Sequence, residues 1–358
     1  MSKPIVNEDE ALQRAIRMIA PGTALREAIS MILQAGTGAV ICLGDVNRLA
    51  RLSEGGVELN AEMRPQLLYE LCKMDGAIIL NEEGTRIRYA NRFLKPNTRI
   101  PSDETGTRHR VSQRIAAQAK CTVITVSQRR ASVTIYCHGR KYAVRTVQAL
   151  VNKVTQAMHT LERYIHALQN ELGELTMREL AGWSTLTDAC RVIQRREMAE
   201  RIYRREVLPL IDELGDEGRM IRLQIIEMRK PAEDAVLVVR DYVKDRPEEQ
   251  AIERLKTLSE SEVLGQGNIA QILGYGSTAR PTETLVIPRG YRILSMLGGR
   301  FPDVVIRNLV ERFGNLQEIL RASKEHLVQV EGVGDVMAER ILSGLDLLKK
   351  QYLMESHR

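Results

Sequence analysis

The stretch PSDETGTRHR, residues 101–110, ends in Arg108, His109 and Arg110, just ahead of VSQRIAAQAK, whose apolar residues recur at helical spacing. A helix N-terminus carries about half a positive charge on its unpaired N–H groups, so cations are disfavoured there and anions favoured. A cationic run in that place makes sense if an anion belongs beside it. Thr107 adds a hydroxyl and the arginines add forked donors suited to phosphate oxygens. Taken alone, a basic run is a solvated surface.

Roughly thirty residues earlier, MDGAIIL places Asp75, Gly76 and Ala77 where the helical pattern RPQLLYELCKM gives way to a strand pattern. Functional residues of α/β domains collect at such junctions. The Asp75 carboxylate is a hard oxygen donor for a divalent cation carried on phosphates, and Gly76 lets a flat base approach the backbone. DGA by itself is a turn; paired with GTRHR it outlines a nucleotide site.

The other end of the chain carries a different chemistry. In LVQVEGVGDVMAERI, Leu327, Val330, Gly332, Val333, Gly334, Ala338 and Ile341 fall at the spacing of a helix-hairpin-helix motif. Paired glycines permit a tight turn and expose N–H groups next to a helix N-terminus, an arrangement that suits a DNA phosphate without reading bases. Arg340 is the nearest cation, while Asp335 and Met337 stand where basic residues would strengthen such a contact. A single hairpin of this kind binds DNA weakly and gains from several copies acting together. The same spacing also serves a hairpin that packs only on protein.

These residues need elements to hold them. In the first third, helical patterns (NEDEALQRAIRMIA, GTALREAISMILQAG, RPQLLYELCKM) alternate with strand-like stretches (GAVICLG, DGAIILNEEGTRIRYAN, CTVITVSQ, ASVTIYCHG), an α/β arrangement around a mixed sheet over residues 1–143. Over 144–284 strand signals fade. Val147, Val151, Val154, Met158, Leu161, Ile165, Leu168, Leu172 and Leu175 alternate spacings of four and three, the seam of one long helix in an all-α spine. That seam suits packing within the chain or a coiled coil between chains. Pro209, inside LTDACRVIQRREMAERIYRREVLPLIDELG, predicts a kink. The Pro/Gly/Thr-rich stretch STARPTETLVIPRGYR predicts a linker, after which residues 285–358 read as two successive helix-turn-helix units.

Bulk properties agree with a soluble, folded chain. At 358 residues, 44% hydrophobic and 27% charged, the protein is too apolar for disorder. No apolar run reaches the roughly 20 residues that span a bilayer, and the acidic start MSKPIVNEDE lacks a signal-peptide pattern, so a cytoplasmic protein is expected. Five cysteines without CxxC spacing predict buried thiols rather than disulfides or a zinc site. The net charge of +6 divides into +7 on 1–143, −3 on 144–284 and +2 on 285–358, so the basic excess lies with GTRHR.

DGA followed by SDETGTRHR resembles the diadenylate cyclase domain. With the spine and the hairpin tail, the whole chain resembles the DNA integrity scanning protein family. The resemblance implies an enzyme that condenses two ATP molecules into cyclic di-AMP and two pyrophosphates, using Mg²⁺ or Mn²⁺, and a tail that binds branched DNA and couples DNA structure to cyclase activity. It implies that Asp75 holds the metal and helps activate a ribose 3′-hydroxyl, that Gly76 and Ala77 line the nucleotide site, and that Thr107, Arg108, His109 and Arg110 bind the phosphates. Ser127 and Arg130 fall where the family has further phosphate contacts, and Leu94 falls in a loop, RFLKP, that contacts adenine. Lys95 before Pro96, and Gln128 and Arg129 after Ser127, depart from the usual pattern. Gly332, Val333, Gly334 and Arg340 are the DNA-contact candidates. The family's assembly is a homo-octamer with active sites across subunit interfaces. No GxxxxGK[ST] segment is present, which argues against a P-loop ATPase. A DNA-binding scaffold that binds ATP without cyclising it is the alternative.

Overall fold

The computed structural model describes residues 8–276, 284–297 and 301–355. Part of the expected linker, 277–283, and the 298–300 turn of the first hairpin unit lie outside the described residues. The chain divides into two compact units, one formed by Met1–Thr155 with Leu208–Arg222 and the other by Gln156–Val207 with Leu223–Arg358.

The first unit is built on an eight-stranded mixed sheet. Its strands are β1 (Ala39–Leu43), β2 (Ser53–Glu54), β3 (Val57–Glu62), β4 (Ala77–Leu80), β5 (Arg86–Leu94), β6 (Thr122–Ser127), β7 (Ser132–Cys137) and β8 (Arg140–Ala143), in the order β2-β5-β4-β1-β6-β7-β8 with β3 also on β5. The helices are α1 (Glu8–Met18), α2 (Ala24–Gln34), α3 (Val46–Arg51), α4 (Pro65–Leu71) and α5 (Thr107–Ala119). Strand residues alternate strictly between two covers. Ala39, Ile41, Leu43, Ile78, Leu80, Ile124 and Val126 pack with α1, α2 and α4, whereas Val40, Cys42, Ala77, Ile79, Val123 and Tyr136 pack with Ile115, Ala116 and Ala119 of α5. Both faces are buried, which is why these strands read as continuous apolar runs.

The pairing also gathers chain ends. β1 and β4 are parallel, with Val40 opposite Ala77, while β5 and β6 run antiparallel to them, with Arg92 opposite Ala77 and Val126 opposite Ala39. The starts of β1 and β4 therefore share one end of the sheet with the finishes of β5 and β6. Residues 208–222 return to this unit as α8 (Leu208–Leu214) and the start of α9 (Arg219–Asp234). Glu213 accepts from the Tyr142 hydroxyl at 2.6 Å and pairs with Arg145 at 3.1 Å, and the Asp216 N–H donates to the Pro21 carbonyl at 3.1 Å.

The second unit is helical. α6 (Val147–Ala181) is the expected long helix, and most of its seam is buried within this chain, with Leu161 and Leu168 fully buried and Val147, Val151 and Leu172 half-buried. α7 (Leu186–Ile202) runs into a π-helical turn, Tyr203–Val207, directly before Pro209 in α8; the widened turn is how the helix accommodates the proline. There follow α10 (Val236–Tyr242), α11 (Glu248–Thr257), α12 (Glu260–Val263), α13 (Gln266–Ile272), α14 (Tyr291–Met296), α15 (Asp303–Phe313), α16 (Leu316–Arg321), α17 (Lys324–Val328) and α18 (Asp335–Glu355). α14 to α18 enclose their own core of Ile293, Leu309, Leu316, Ile319, Leu327, Ala338 and Ile341.

A buried polar network ties spine helices to the start of this tail. Arg292 pairs with Glu179 and donates to Thr176 Oγ1 at 2.9 Å, and Tyr242 donates to Glu179 at 2.7 Å. Asp241 receives the backbone N–H groups of Gly290, Tyr291 and Arg292 at 2.8, 2.7 and 3.1 Å, capping α14 from another helix. All five cysteines are buried free thiols, and no helix among the described residues is long and apolar enough to cross a membrane.

Candidate active site and nucleic-acid interface

α5 begins at Thr107, so Arg108 and His109 lie in its first turn. The N-cap is Gly106, which has no side chain to satisfy the first N–H groups, and no acidic residue occupies the first turn. These donors stay available to an incoming anion. The helix is held there by its own polar face. Arg110 donates to the Glu104 and Thr105 carbonyls at 3.1 and 3.2 Å, and Gln113 donates to Asp103 at 2.6 Å. Arg114 donates to the Ile100 carbonyl at 2.8 Å, and Gln118 accepts from the Asn97 N–H at 2.8 Å. Positions 110, 113, 114 and 118 share one helical face, so α5 straps the preceding loop along most of its length.

The two arginines of the motif have different positions. Arg110 is committed to the loop carbonyls, whereas the Arg108 guanidinium lies over Gly38, at the entrance to β1, where any Cβ would collide with it. The absence of a side chain at Gly38 thus admits Arg108 to the end of the sheet where β6 finishes. His109 is half-buried, its Nδ1 2.9 Å from the Tyr136 hydroxyl. That hydroxyl donates to Glu104 Oε1 at 2.7 Å, and Glu104 pairs with Lys141 at 2.5 Å.

Burial alone raises the Glu104 carboxyl, but the bonds from Lys141 and Tyr136 outweigh it and hold the group below its ordinary range. Burial lowers the proton affinity of His109; Glu104 opposes this, while Arg130, Lys141 and Arg108 reinforce it.

Asp75 is exposed, and Gly76 beside it has φ +105°. A Cβ on Gly76 would stand 2.9 Å from the Asn91 carbonyl carbon and side-chain oxygen, so the backbone there runs against β5 and requires glycine. Ala77 opens β4 and is buried on the α5 side of the sheet. Ser127 is the last residue of β6, half-buried opposite Ser132, and Arg130 is exposed on the turn between them.

Leu94 corrects an expectation. It is the last residue of β5 rather than part of a loop, paired with Ser53 and only 8% exposed, because it belongs to the apolar layer beneath α5. The neighbouring Phe93 is 65% exposed. The sheet thus brings Asp75, Gly76, Ala77, Leu94 and Ser127 to one end, with Arg108 beside them. The sequence reading missed Gly38, Glu104, Tyr136 and Lys141. The last three were hidden because their partners lie far apart in the chain.

In the tail, Leu327, Val330, Val333, Ala338 and Ile341 are all buried. Gly332 has φ +87°, and a Cβ on it would meet Val305 Cγ2 at 3.2 Å; a side chain at Gly334 would meet nothing, leaving that backbone open ahead of α18. Arg340 is exposed. Lys324 is drawn to the hairpin's own acids, Asp335 at 3.5 Å and Glu339 at 2.6 Å.

Residues 26–141 match a family described as DisA bacterial checkpoint controller nucleotide-binding. Residues 144–281 match the DisA bacterial checkpoint controller linker region, and residues 303–349 the helix-hairpin-helix motif. A mixed-sheet nucleotide-binding domain followed by a helical linker and this hairpin defines the class: a diadenylate cyclase with a DNA-binding tail. The DNA integrity scanning protein DisA of Carboxydothermus hydrogenoformans is 43% identical over 348 residues, covering 96% of this chain and 98% of the relative. That of Acetivibrio thermocellus is 42% identical over 354 residues, covering 98% of each. The protein of the same name from Clostridium perfringens is 41% identical over 351 residues, covering 98% of each. The chain belongs to the DNA integrity scanning protein DisA family.

Proposed function

We propose that the sheet end bearing Asp75 and the N-terminus of α5 is the half-site in which one ATP is bound for cyclisation. The observation that carries this reading is the convergence, on one end of one sheet, of an exposed carboxylate, an exposed positive-φ glycine pressed against β5 and an uncapped, cation-bearing helix N-terminus. Arg108, the α5 N–H groups and Thr107 bind the triphosphate; Arg110 acts by holding the loop that delivers them. His109 adds a nitrogen donor to the phosphates. Ser127 and Arg130 sit where they can complete the phosphate contacts, and Gly76, Ala77 and the edge of Leu94 bound the base.

Among the described residues no three His, Cys, Asp or Glu side chains cluster as a ready-made metal cage. A single exposed aspartate fits a divalent ion carried largely by substrate phosphates, as Mg²⁺ and Mn²⁺ are. Such an ion, held by Asp75, would supply Lewis acidity at the reacting phosphate. In each half-reaction a ribose 3′-hydroxyl, which Asp75 helps to activate, releases its proton to solvent as its oxygen bonds to the α-phosphorus of the other ATP, the bond from that phosphorus to the bridging oxygen breaks, and pyrophosphate leaves in line. Two such events close the ring, so two half-sites must face each other across a subunit interface. A homo-octamer is the assembly we adopt.

Residues 1–143 are assigned to the cyclase, 144–284 to the spine and 285–358 to the DNA-binding tail. Gly332, Val333, Gly334 and Arg340 make the backbone and cation contacts to phosphate, and branched DNA bound there biases the alignment of half-sites through the spine. The protein acts in the cytoplasm.

The test is to incubate purified full-length protein with ATP and Mg²⁺ or Mn²⁺ beside Asp75→Asn and identify products by mass. Cyclic di-AMP from the wild type and a loss of at least ~1000-fold in the variant are expected. Full turnover by a folded Asp75→Asn protein would remove Asp75 from the mechanism.

A further inference from the structure

We propose that Tyr136 and Glu104, backed by Lys141, are positioning residues for the cyclase: they fix His109 as its Nδ1–H tautomer, so that a phosphate contact through Nε2 requires the ring to take up a proton. This rests on the assignment of His109 to the nucleotide site.

The hydrogen-bond directions leave one solution. Lys141 donates to Glu104, and an ionised carboxylate can only accept. The Tyr136 hydroxyl has a single proton, and at 2.7 Å from Glu104 Oε1 that proton is directed to the carboxylate. The bond at 2.9 Å between Tyr136 and His109 must then be donated by Nδ1–H. The phenol is fully buried and packs among Val123, Ile115 and Ala116, so phenylalanine would serve that packing equally well. The hydroxyl has a purpose only toward Glu104 and His109.

With Nδ1 protonated, a neutral His109 offers a bare lone pair at Nε2, which repels phosphate oxygen. A hydrogen bond from Nε2 to phosphate makes the ring cationic. The charged groups facing the ring are Glu104 in the preceding loop, Arg108 on α5, Arg130 on the β6–β7 turn and Lys141 on β8. Together with burial, the cations keep the ring neutral while the site lacks an anion. A triphosphate placed among them reverses that balance, and the proton is drawn from solvent as the nucleotide binds. Binding and protonation become one event.

Titration calorimetry of the full chain with 3′-deoxy-ATP and Mg²⁺, which cannot be cyclised, tests this in two buffers of different ionisation enthalpy at pH 7.5. The wild type should take up close to one proton per nucleotide, and His109→Ala none. Tyr136→Phe frees the ring to adopt the Nε2–H tautomer and bind phosphate without gaining charge. Uptake should fall by more than half, with affinity weakened about tenfold or less. Glu104→Ala offers the same test in a partly exposed loop, since removing the acceptor leaves the phenol proton free to turn toward Nδ1. Nitrogen-15 shifts of His109 should show Nδ1–H in the wild type and Nε2–H in both variants.

Full uptake in Tyr136→Phe and Glu104→Ala, with unchanged His109 shifts, would overturn the positioning role. Unaltered affinity and uptake in His109→Ala would instead overturn the placement of His109 in the nucleotide site, even if the shifts show the tautomer control.

Discussion

Two helix N-termini in this protein are built in opposite ways. That of α5 follows a glycine, has no acid in its first turn and is lined with cations, while that of α18 also follows a glycine but opens with Asp335, which, with Glu339, takes up Lys324. The first is electrostatically incomplete without a highly charged ligand; the second is partly neutralised by its own side chains. On the function proposed above, the first construction gives tight, local capture of a triphosphate, whereas the second gives a weak contact that becomes useful only when repeated across copies. α14 is a third solution, its first N–H groups consumed by buried Asp241 from α10.

The comparison can be broken most severely by giving α5 what α18 already has. Arg108→Glu should weaken ATP binding by ~100-fold or more and abolish cyclic di-AMP formation, measured by calorimetry and product mass. Near-normal affinity would mean that the helix end is not the phosphate site. Gly38→Ala leaves Arg108 in place but pushes its guanidinium off β1, and kcat/KM should drop about tenfold without loss of melting temperature. In the other direction, Asp335→Lys should tighten DNA binding about threefold to tenfold and steepen its salt dependence by roughly one to two counterions, read by anisotropy across a salt series. An unchanged salt slope would place the DNA elsewhere on the tail.

The smallest effect belongs to α14. Burial, with the Glu179 charge beside it, pushes the Asp241 carboxyl up to about 7 against the pull of Arg292 and the backbone N–H groups. Its folded-state value is raised, so the stability it contributes is complete below about pH 4 and is lost as pH rises through about 7. Melting of the helical unit should fall by a few degrees or so between pH 5.5 and 8 in the wild type, and Asp241→Asn should flatten this dependence.

Much of this was legible in the sequence for a definite reason. DGA and GTRHR are local motifs, and the strands around them are buried on both faces, so continuous apolar runs located β1, β4, β6 and β7. β3 was missed because every residue but one of VELNAE is exposed, and a strand without a buried face leaves no alternation to read. Tyr136 was hidden for the opposite reason. In ASVTIYCHG it looks like another core residue, and its hydrogen-bond partner Glu104 is 32 residues away. Gly38 was missed because its role lies in what it lacks, and Leu94 was misplaced because RFLKP ends in proline while the strand continues to Leu94. The heptad seam announced a long helix but not its partner, since the same spacing serves both kinds of packing.

The path of the chain has a consequence for heredity and engineering. Because 208–222 rejoins the first unit after the chain has entered the second, and Glu213 and Asp216 bond there to Tyr142, Arg145 and Pro21, the nucleotide-binding body is not a contiguous cassette. Recombination at a single breakpoint near residue 143 would deliver that body without one of its own walls. A lineage that shuffles this enzyme must carry the spine through residue 222 with it.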